Sequence, residues 1–492
     1  MQSIVAISRL NGHKILNCRH LSSVTTMLSP QVISQYESVI GLEVHSQMTC
    51  KSKLFSSSGT SYMGFPNSQV SYFDCGLPGT LPVLNTKCVE SIIKTGLALN
   101  CQISKKSTFD RKHYFYADMP SGYQITQQRE PLAINGFIEF IVFNTKDKES
   151  YLKRSELKQI QLEQDSGKSL QDNNRALVDL NRAGIALMEF VFEPDLRNAN
   201  EAVSLIRELI LILKSLDTCS CKMEEGVLRV DANISVRKPH QSLGIRTEVK
   251  NLNSFRFIHS AIEYEINRQI AIIESGGQVV NETRMYDMKL KETVPMRDKE
   301  VVQDYRFMPE PNLPSILLTD DNELNNNLIN ISDIKRQINV KQMPNHLRNY
   351  LLNNYSLNLS QVYILMNESG MANTFTTIAK YIIDLLINES ISSRIANQLL
   401  NQYFQNEKRS PNEVITQNNW TLITDDNIIK EKCLLTIETL PKIARKYANK
   451  GVRRHKSLLI ENVMNLLDNR VNECDIWKHY DQLLRNNTNV FK

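Results

Sequence analysis

Residues 39–48 read VIGLEVHSQM, an apolar beginning that passes into an acid, a valine and a histidine. Because side chains alternate between the two faces of a β-strand, a strand here places Glu43 and His45 on one face and Val44 on the other. Acid and imidazole side chains on one face are suitable ligands for a divalent metal ion. A solvent-facing ion pair on a half-buried strand would give the same spacing. The segment therefore predicts a two-faced strand and leaves both interpretations of its polar face open.

The sequence around this strand predicts an α+β fold. Further β-like runs (GFIEFIVF at 136–143, VLRVDANISVR at 227–237 and IRTEVKNL at 245–252) are separated by helical runs such as EAVSLIRELILILKSL at 201–216. These runs lack a regular strand–helix–strand rhythm, which favours a largely antiparallel sheet. After Pro314 glycine almost disappears and apolar residues recur at helical spacing, so this region is predicted to be nearly all helix.

The segment LEQDSGKS at 162–169 ends like a phosphate-binding loop but lacks the first glycine of that motif, because its first residue is leucine. A Walker-type nucleotide site is therefore excluded. What remains is Glu163 and Asp165 on alternate positions, followed by the turn Gly167-Lys168-Ser169. The backbone N–H groups of such a turn can hold an anion. A simple polar turn accounts for the same residues.

Two later β-like runs carry charges of both signs on one face. Arg229 and Asp231 share a face of the first run, and Glu248 and Lys250 share a face of the second. Such a face can be the floor of a site that holds Mg²⁺ through carboxylates and phosphate through basic side chains. A solvated sheet surface with cross-strand ion pairs is the alternative. Between these segments Glu189 is one of several polar residues within an apolar run, which is typical of a polar network or an active-site wall.

The composition limits the possible classes of protein without selecting one. The 492 residues suffice for two or three domains, and the formal charge of +5 is compatible with a nucleic-acid partner but does not require one. The nine cysteines show no C-x-x-C spacing, which favours free thiols in a reducing compartment. No uncharged apolar run of about 18 residues occurs, so a membrane span is excluded.

Residues 1–36 differ from the rest of the chain. They contain no Asp or Glu, but they contain Arg9, Lys14 and Arg19 together with six serines. Acid-free, serine-rich leaders with arginine are typical of transit peptides for mitochondria or plastids. We therefore expect residues 1–36 to be a mitochondrial transit peptide.

Nine segments, taken in order, resemble one family: the B subunit, also the archaeal E subunit, of Glu-tRNA(Gln)/Asp-tRNA(Asn) amidotransferase. The segments are VIGLEVHSQM, GLPGTLPVLN, FDRKHYFYADMPSGYQITQ, LEQDSGKS, LVDLNRAGIALMEFVFEPDLR, MEEGVLRVDANISVR, TEVKNLNSFRFI, ETRMYD and DYRFMPEPNLP. They extend from about residue 39 to residue 314. The C-terminal third resembles the helical and YqeY-like tail domains of the family more distantly.

The resemblance implies a fold and an activity. Residues 37–315 would form a catalytic cradle similar in fold to glutamine synthetase, followed by a linker and helical domain at 316–400 and a YqeY-like helical tail at 401–492. Such a subunit acts in the mitochondrial matrix, where it phosphorylates the glutamate side chain of Glu-tRNA(Gln) with ATP and lets ammonia displace the phosphate. Ammonia would come from an A-type glutaminase (amidase) subunit, and a small C-type subunit would complete the heterotrimer. This chain has no Gly/Ser-rich amidase signature of its own.

The resemblance also assigns roles to particular residues. The expected Mg²⁺ ligands are Glu43, His45 and Glu163. The further expected catalytic residues are Asp231, Glu248 and Lys250, and the expected ATP contacts are Lys168, Arg229 and Lys250. A basic run in the tail would suit a tRNA backbone, although a solvated helix face is an equal alternative. Its residues are Lys442, Arg445, Lys446, Arg453, Arg454 and Lys456.

The chain departs from the family pattern at two positions near the expected metal ligands. The family usually has His and a second Glu where this chain has Gln161 and Gln164. Gln164 is expected to lower the negative charge of the metal site. A diverged, non-catalytic scaffold that still binds tRNA is therefore the alternative function. The active enzyme is favoured by the joint retention of six residues: Glu43, His45, Glu163, Asp231, Glu248 and Lys250.

Overall fold

The computed structural model describes residues 29–143, 150–172, 174–296, 305–320, 328–355, 359, 362–363, 366, 378, 381–404, 409–450 and 453–486. Most of the expected transit peptide, residues 1–28, lies outside the described residues. The chain divides into two compact units between Asn339 and Val340. Within the described ranges, no helix is long and apolar enough to span a membrane.

The first unit contains all the strands that the structure describes and the helices α1–α5. The strands are β1 (Glu37–Gln47), β2 (Gln102–Ile103), β3 (Lys106–Ser107), β4 (Asp110–His113), β5 (Tyr123–Thr126), β6 (Ala133–Phe143), β7 (Ser150–Gln164), β8 (Lys168–Asp172), β9 (Arg175–Asp179), β10 (Ala186–Phe192), β11 (Leu228–Arg237), β12 (Thr247–Leu252), β13 (Thr283–Asp287), β14 (Glu292–Pro295), β15 (Met308–Pro309), β16 (Ile316–Thr319) and β17 (Ile329–Asn330). The helices are α1 (Pro30–Ile33), α2 (Thr86–Ala98), α3 (Ala199–Ser215), α4 (Phe255–Glu274) and α5 (Ile331–Gln337), with a 3₁₀ turn at Met223–Glu225.

Nine strands form one large sheet in the order β14-β13-β12-β11-β1-β10-β7-β6-β2. Every neighbouring pair is antiparallel except β12 and β13, which run parallel. The largely antiparallel sheet expected from the sequence is thus confirmed. Three smaller sheets accompany it, in the orders β15-β4-β5, β17-β16-β3 and β8-β9.

Strand β1 occupies the middle of the large sheet and has two chemically different faces. Ile40, Leu42 and Val44 are fully buried on one face. Helices α2, α3 and α4 contact the large sheet, and their amphipathic sequences explain how they cover its apolar side. Each of these helices begins at a polar N-cap, for example Asn198 of α3, whose side chain accepts a hydrogen bond from the backbone N–H of Glu201. The opposite face of the sheet is left for polar side chains.

The second unit is helical in every element that the structure describes, as the sequence predicts. Its helices are α6 (Pro344–Tyr355), α7 (Ser393–Phe404), α8 (Pro411–Asn418), α9 (Asp426–Thr439), α10 (Pro441–Lys450), α11 (Arg453–Leu466) and α12 (Glu473–Asn486), with further helical residues at 381–387 and a 3₁₀ turn at Val340–Gln342. One apolar core forms among α9–α12, around side chains such as Cys433, Leu459 and Tyr480. A second core joins α7 and α8 around Ile395 and Val414.

A buried carboxylate fastens α4 to the large sheet. Glu265 is fully buried and accepts two hydrogen bonds from the Arg268 guanidinium, at 2.9 and 2.7 Å. It also accepts hydrogen bonds from Gln269 at 2.9 Å and from the Thr293 hydroxyl of β14 at 2.8 Å. Burial alone would raise the pKa of Glu265, but Arg268 and the other donors outweigh it and hold the pKa below its usual value.

We expect Glu265→Ala to lower the free energy of unfolding by about 3 kcal/mol, because the half-buried Arg268 charge loses its nearest acidic partner and the donors around Glu265 lose their acceptor. The depressed pKa sets the pH dependence: the stabilisation by Glu265 is present above the usual carboxyl pKa of 4.5 and is lost as the pH falls below it. Urea unfolding of the wild type and the variant between neutral and acid pH measures both effects. Glu263→Ala, which removes an exposed acid of the same helix, is the control and should change stability little. Equal stability of wild type and Glu265→Ala at neutral pH would contradict this account.

Candidate metal centre

Three side chains from three adjacent strands converge on the polar face of the large sheet. His45 of β1 lies directly opposite Glu189 of β10. Glu163 of β7 lies opposite Leu187, which precedes Glu189 by two residues on β10. The His45 Nε2 atom is 3.8 Å from Glu189 Oε1 and 4.0 Å from Glu163 Oε1. Within the described ranges, these residues form the one group of three or more His, Cys, Asp or Glu side chains close enough to share a metal ion.

The two carboxylates of this group are buried and close together. Glu163 is 2% exposed and Glu189 is 8% exposed. Burial and the neighbouring Glu189 carboxylate raise the pKa of Glu163 to about 7, although Lys112 and His45 act in the opposite direction. Two buried acids that share one site are costly to ionise unless a cation lies between or beside them. One imidazole and two carboxylates are a suitable ligand set for a divalent cation.

Hydrogen bonds from β5 and β7 fix the orientation of both carboxylates. Gln124 donates to Glu163 Oε1 at 2.6 Å, and the Thr126 hydroxyl donates to Glu163 Oε2 at 2.9 Å. Gln161 donates from Nε2 to Glu189 Oε2 at 2.7 Å and to the Thr126 hydroxyl at 3.1 Å. These bonds leave Glu189 Oε1 facing His45. Such outer hydrogen bonds orient metal ligands and raise the affinity of a site for its ion.

Lys112 brings a positive charge to the group. It lies on β4 directly opposite Gln124 of β5, and its Nζ is 4.0 Å from Glu163 Oε1 and 4.8 Å from the centre of the Tyr305 ring. Burial would lower the pKa of Lys112, but the nearby carboxylates of Glu163 and Glu189 raise it above its usual value. The side chain therefore stays charged at neutral pH and is available to a negatively charged substrate beside the three ligands.

Glu43, an expected metal ligand, lies in the next row of the polar face. It is opposite Asp231 of β11, and its Oε1 accepts a hydrogen bond from Asn233 at 3.0 Å. The structure thus brings His45 and Glu163 together with Glu189, and it leaves Glu43 outside this group of three.

Asp231, Glu248 and Lys250 lie around an irregularity between β11 and β12. The register shifts between Val230 and Ala232, and Asp231 Oδ1 accepts a hydrogen bond from the Asn251 backbone N–H at 2.9 Å. The Lys250 ammonium lies 3.5 Å from Glu248 Oε1. Burial would lower the pKa of Lys250, but Glu248 and then Asp231 raise it above its usual value.

Arg229, an expected ATP contact, is paired with the buried acid Asp165. Its Nη2 lies 2.9 Å from Asp165 Oδ2, which also accepts a hydrogen bond from Gln47 at 2.9 Å. Burial would raise the pKa of Asp165, but the Arg229 and Arg182 charges hold it below its usual value. Arg229 therefore supports the floor of the site while its position opposite His45 keeps it next to the three ligands.

Lys168, the other expected ATP contact, is an exposed residue at the start of the β8–β9 hairpin. The backbone N–H groups of the turn before it are already bonded within the protein, so the prediction that this turn holds an anion is wrong. The Ser166 N–H donates to Asp165 Oδ1 at 2.9 Å, and the Gly167 N–H donates to the Asp118 carbonyl at 2.8 Å. With these amides already engaged, the turn serves to hold the chain between β7 and β8.

Gln164 has a different environment from the one expected of it. Its Oε1 accepts a hydrogen bond from the Ile125 backbone N–H at 3.0 Å, so its side chain bonds to β5 and is not among the three clustered ligands. Gln161, by contrast, bonds directly to Glu189. The sequence alone did not assign Glu189, Lys112 or Gln124 to the metal site. Only the polar character of Glu189 within an apolar run pointed to it.

The basic run of the tail lies on α10 and α11 of the second unit. Lys442, Arg445 and Lys446 are exposed residues of α10. On α11 the Lys456 ammonium lies 3.7 Å from the centre of the Trp477 ring. Arg453 and Arg454 are the first residues of α11, and their side chains lie outside the described part of the structure.

Comparison with known proteins gives a consistent result for both units. A family model described as the GatB/GatE catalytic domain matches residues 38–323, and the GatB_Yqey model, described as a GatB domain, matches residues 335–476. The chain belongs to the GatB/GatE family. The catalytic-domain match includes every strand of the large sheet that carries the clustered ligands, and the resemblance found in the nine segments is confirmed.

Relatives that match over most of their length are B subunits of tRNA amidotransferases. The chain is 43% identical over 472 residues to the human mitochondrial glutamyl-tRNA(Gln) amidotransferase B subunit, a match that covers 86% of this chain and 84% of the relative. The Drosophila melanogaster protein of that name is 44% identical over 495 residues, covering 92% and 95%. The aspartyl/glutamyl-tRNA(Asn/Gln) amidotransferase B subunit of Rickettsia canadensis is 38% identical over 470 residues, covering 89% and 95%.

The hydrogen bond from Gln161 to Glu189 can be tested by metal binding. We expect Gln161→Leu to weaken the binding of Mg²⁺ and Mn²⁺ about 10-fold, because Glu189 loses the donor that orients it. Isothermal titration calorimetry of the purified chain measures the change. Gln171→Leu, at an exposed position of β8, is the control. An unchanged affinity in a folded Gln161→Leu protein would show that this hydrogen bond does not position the ligand.

Proposed function

We propose that this chain is the subunit of a tRNA-dependent amidotransferase that activates the glutamate of Glu-tRNA(Gln), so that ammonia can convert it to glutamine. Family membership and the names of the relatives support the tRNA amidotransferase role. The observation that carries the catalytic part is the buried group of His45, Glu163 and Glu189. It offers a cation site on the polar face of the sheet, which a scaffold protein would not need.

The proposed reaction requires a phosphorylated intermediate. A glutamate carboxylate is a poor acyl donor, so its oxygen first attacks the terminal phosphorus of ATP, the bond to the bridging oxygen breaks and ADP leaves. Ammonia then attacks the carbonyl carbon of the acyl phosphate, which gives the amide and inorganic phosphate. A bound Mg²⁺ ion would neutralise phosphate charge during the first step. His45, Glu163 and Glu189 are the residues proposed to hold it, with Gln124, Thr126 and Gln161 fixing their orientation.

The basic side chains around the cluster are proposed to neutralise the remaining negative charge of the phosphate groups. Lys112 lies beside Glu163 and stays protonated, so it can bind a phosphoryl oxygen as charge develops there. Arg229 and Lys250 flank the group on the β11 and β12 side, where each is partly neutralised by an acid. Glu43, Asp231 and Glu248 complete the polar face as proposed contacts for substrate or for ATP with its Mg²⁺. Lys168 remains a proposed ATP contact at the edge of this face.

The partners and compartment follow from the same proposal. The relatives are named as B subunits, which implies other subunits; we propose an A-type glutaminase that supplies ammonia and a small C-type subunit. The eukaryotic relatives are named as mitochondrial, and we propose the matrix as the site of action. Residues 1–36 are proposed as the transit peptide.

The non-catalytic scaffold is the competing hypothesis. Its main support is the amide at position 164, but the Gln164 side chain bonds to the Ile125 backbone instead of taking part in the ligand group. His45, Glu163 and Glu189 lie close enough together to share a cation, and hydrogen bonds orient the two carboxylates. We therefore favour the active subunit.

In the reconstituted heterotrimer, we expect Glu163→Gln to reduce ATP hydrolysis that depends on Glu-tRNA(Gln) by about 100-fold, because a buried ligand of the cation is lost. Glu43→Gln should also reduce it, by a smaller factor, because Glu43 lies outside the clustered ligands. Glu156→Gln, an exposed position on the same strand as Glu163, is the matched control. Wild-type formation of Gln-tRNA(Gln) by Glu163→Gln would rule out the assigned site.

The tail is proposed to bind the tRNA backbone through its basic run. Replacing Lys442 and Lys446 by Ala should weaken tRNA binding and reduce the salt dependence of log K by about 1 for each lysine that binds a phosphate in the wild type. Filter binding at several salt concentrations gives this slope. Lys430→Ala, at an exposed position of α9, is the control. A slope that stays unchanged in the double variant would favour the solvated-face interpretation of the run.

A further inference from the structure

Two cysteines form a close pair outside the metal centre. The Cys50 and Cys88 sulfur atoms are 3.5 Å apart, with the Cys88 thiol donating to Cys50. Cys50 lies in the loop after β1 and is partly exposed, whereas Cys88 lies in the first turn of α2 and is fully buried. Both are free thiols. Cys50 is thus the more accessible residue of the two.

The surroundings of the pair favour a thiolate at Cys50. The Cys88 hydrogen bond lowers the pKa of Cys50, the nearby Lys87 charge lowers it further, and burial acts in the opposite direction. The start of α2 adds the partial positive charge of a helix N-terminus. For Cys88, donation to Cys50 and burial both raise the pKa. The two thiols are therefore unequal, because the pKa of Cys50 is lowered and the pKa of Cys88 is raised.

The backbone around the pair keeps the two sulfur atoms together. Asn85, the N-cap of α2, donates from its side-chain amide to the carbonyls of Ser52 at 3.2 Å and Lys53 at 3.3 Å. Its own N–H donates to the Leu54 carbonyl at 2.9 Å. The first turn of α2 is thus fastened to the residues that directly follow Cys50. A disulfide needs the sulfur atoms to approach by only about 1.5 Å from their present separation.

We propose that Cys50 and Cys88 form a reversible oxidation site for hydroperoxides, with Cys50 as the reacting thiol and Cys88 as the resolving thiol. The Cys50 thiolate attacks one peroxide oxygen, the O–O bond breaks, and a sulfenic acid forms with release of hydroxide. The Cys88 thiol then attacks the Cys50 sulfur, and the S–O bond breaks. The departing oxygen takes the Cys88 proton and leaves as water, giving a disulfide. Two thiols lose two electrons in total, and the peroxide gains them.

The resolving thiol of Cys88 determines whether the oxidation of Cys50 is reversible. A sulfenic acid that meets more peroxide is oxidised to a sulfinic acid, which thiol reductants do not reverse, whereas a disulfide is reversed. Cys88 therefore protects Cys50 from permanent oxidation. The other close pair in the described ranges, Cys219 and Cys221, differs because both of its residues are buried. Cys101 is also buried, and burial raises its pKa to about 12.

The test treats the full chain with a small excess of hydrogen peroxide, alkylates the remaining thiols and maps the peptides by mass spectrometry. We expect a linked Cys50–Cys88 peptide pair in the wild type, and complete recovery of both free thiols after dithiothreitol. In Cys88→Ser and Cys88→Ala, dimedone should trap a sulfenic acid at Cys50, and without dimedone Cys50 should become sulfinic acid that dithiothreitol does not recover.

Two outcomes would overturn the proposal. One is equal alkylation of Cys50 before and after peroxide while the exposed Cys474 becomes oxidised. The other is a Cys50 that stays fully recoverable in the Cys88 variants, because then Cys88 would have no resolving role. The experiment on the wild-type protein needs no substitution, so it still tests the proposal if a variant folds poorly. Cys101→Ser serves as a matched control, and the Cys50–Cys88 link should form in it as in the wild type.

Discussion

The two-faced character of β1, fixed by pairing on both of its edges, is the constraint on which the rest of the first unit depends. The strand is bonded to β10 on one side and to β11 on the other. Its even-numbered Ile40, Leu42 and Val44 are fully buried. A slip of one residue would turn His45 into that core and the valine toward the polar face. The burial of these three side chains therefore determines which neighbours His45 meets.

The electrostatic consequence of this register is that two acidic side chains lie close together in a buried environment. Glu163 and Glu189 would repel each other and lose hydration, and the fold accommodates them with amide and hydroxyl donors from β5 and β7 and with the Lys112 charge. These donors leave Glu189 Oε1 facing His45. An arrangement that is costly for the protein alone would become favourable with a divalent cation bound.

Other charges in the unit hold elements in place and are not available to a ligand. The Arg111 guanidinium makes two hydrogen bonds to the buried Glu310 carboxylate, at 2.6 and 2.9 Å. This pair joins β4, the strand that carries Lys112, to the residue after β15. Glu265 likewise holds α4 against β14 through its hydrogen bond with Thr293. The distinction between these closed pairs and the open group around His45 comes from the number of donors already bound to each acid.

The sequence by itself determined the class of fold, because alternation and helical spacing record which side chains are buried, and it identified the family from nine ordered segments. It also selected His45 and Glu163, since both lie in those segments. The tertiary structure alone decided that Glu189 joins them and that Gln164 does not. These residues are brought together by strand register across β1, β10 and β7, and the pairing of β1 with β10 joins positions more than 100 residues apart in the chain. The local alternation of apolar and polar residues predicts which face of the sheet a side chain occupies. Only the pairing of distant strands determines which side chain lies opposite it.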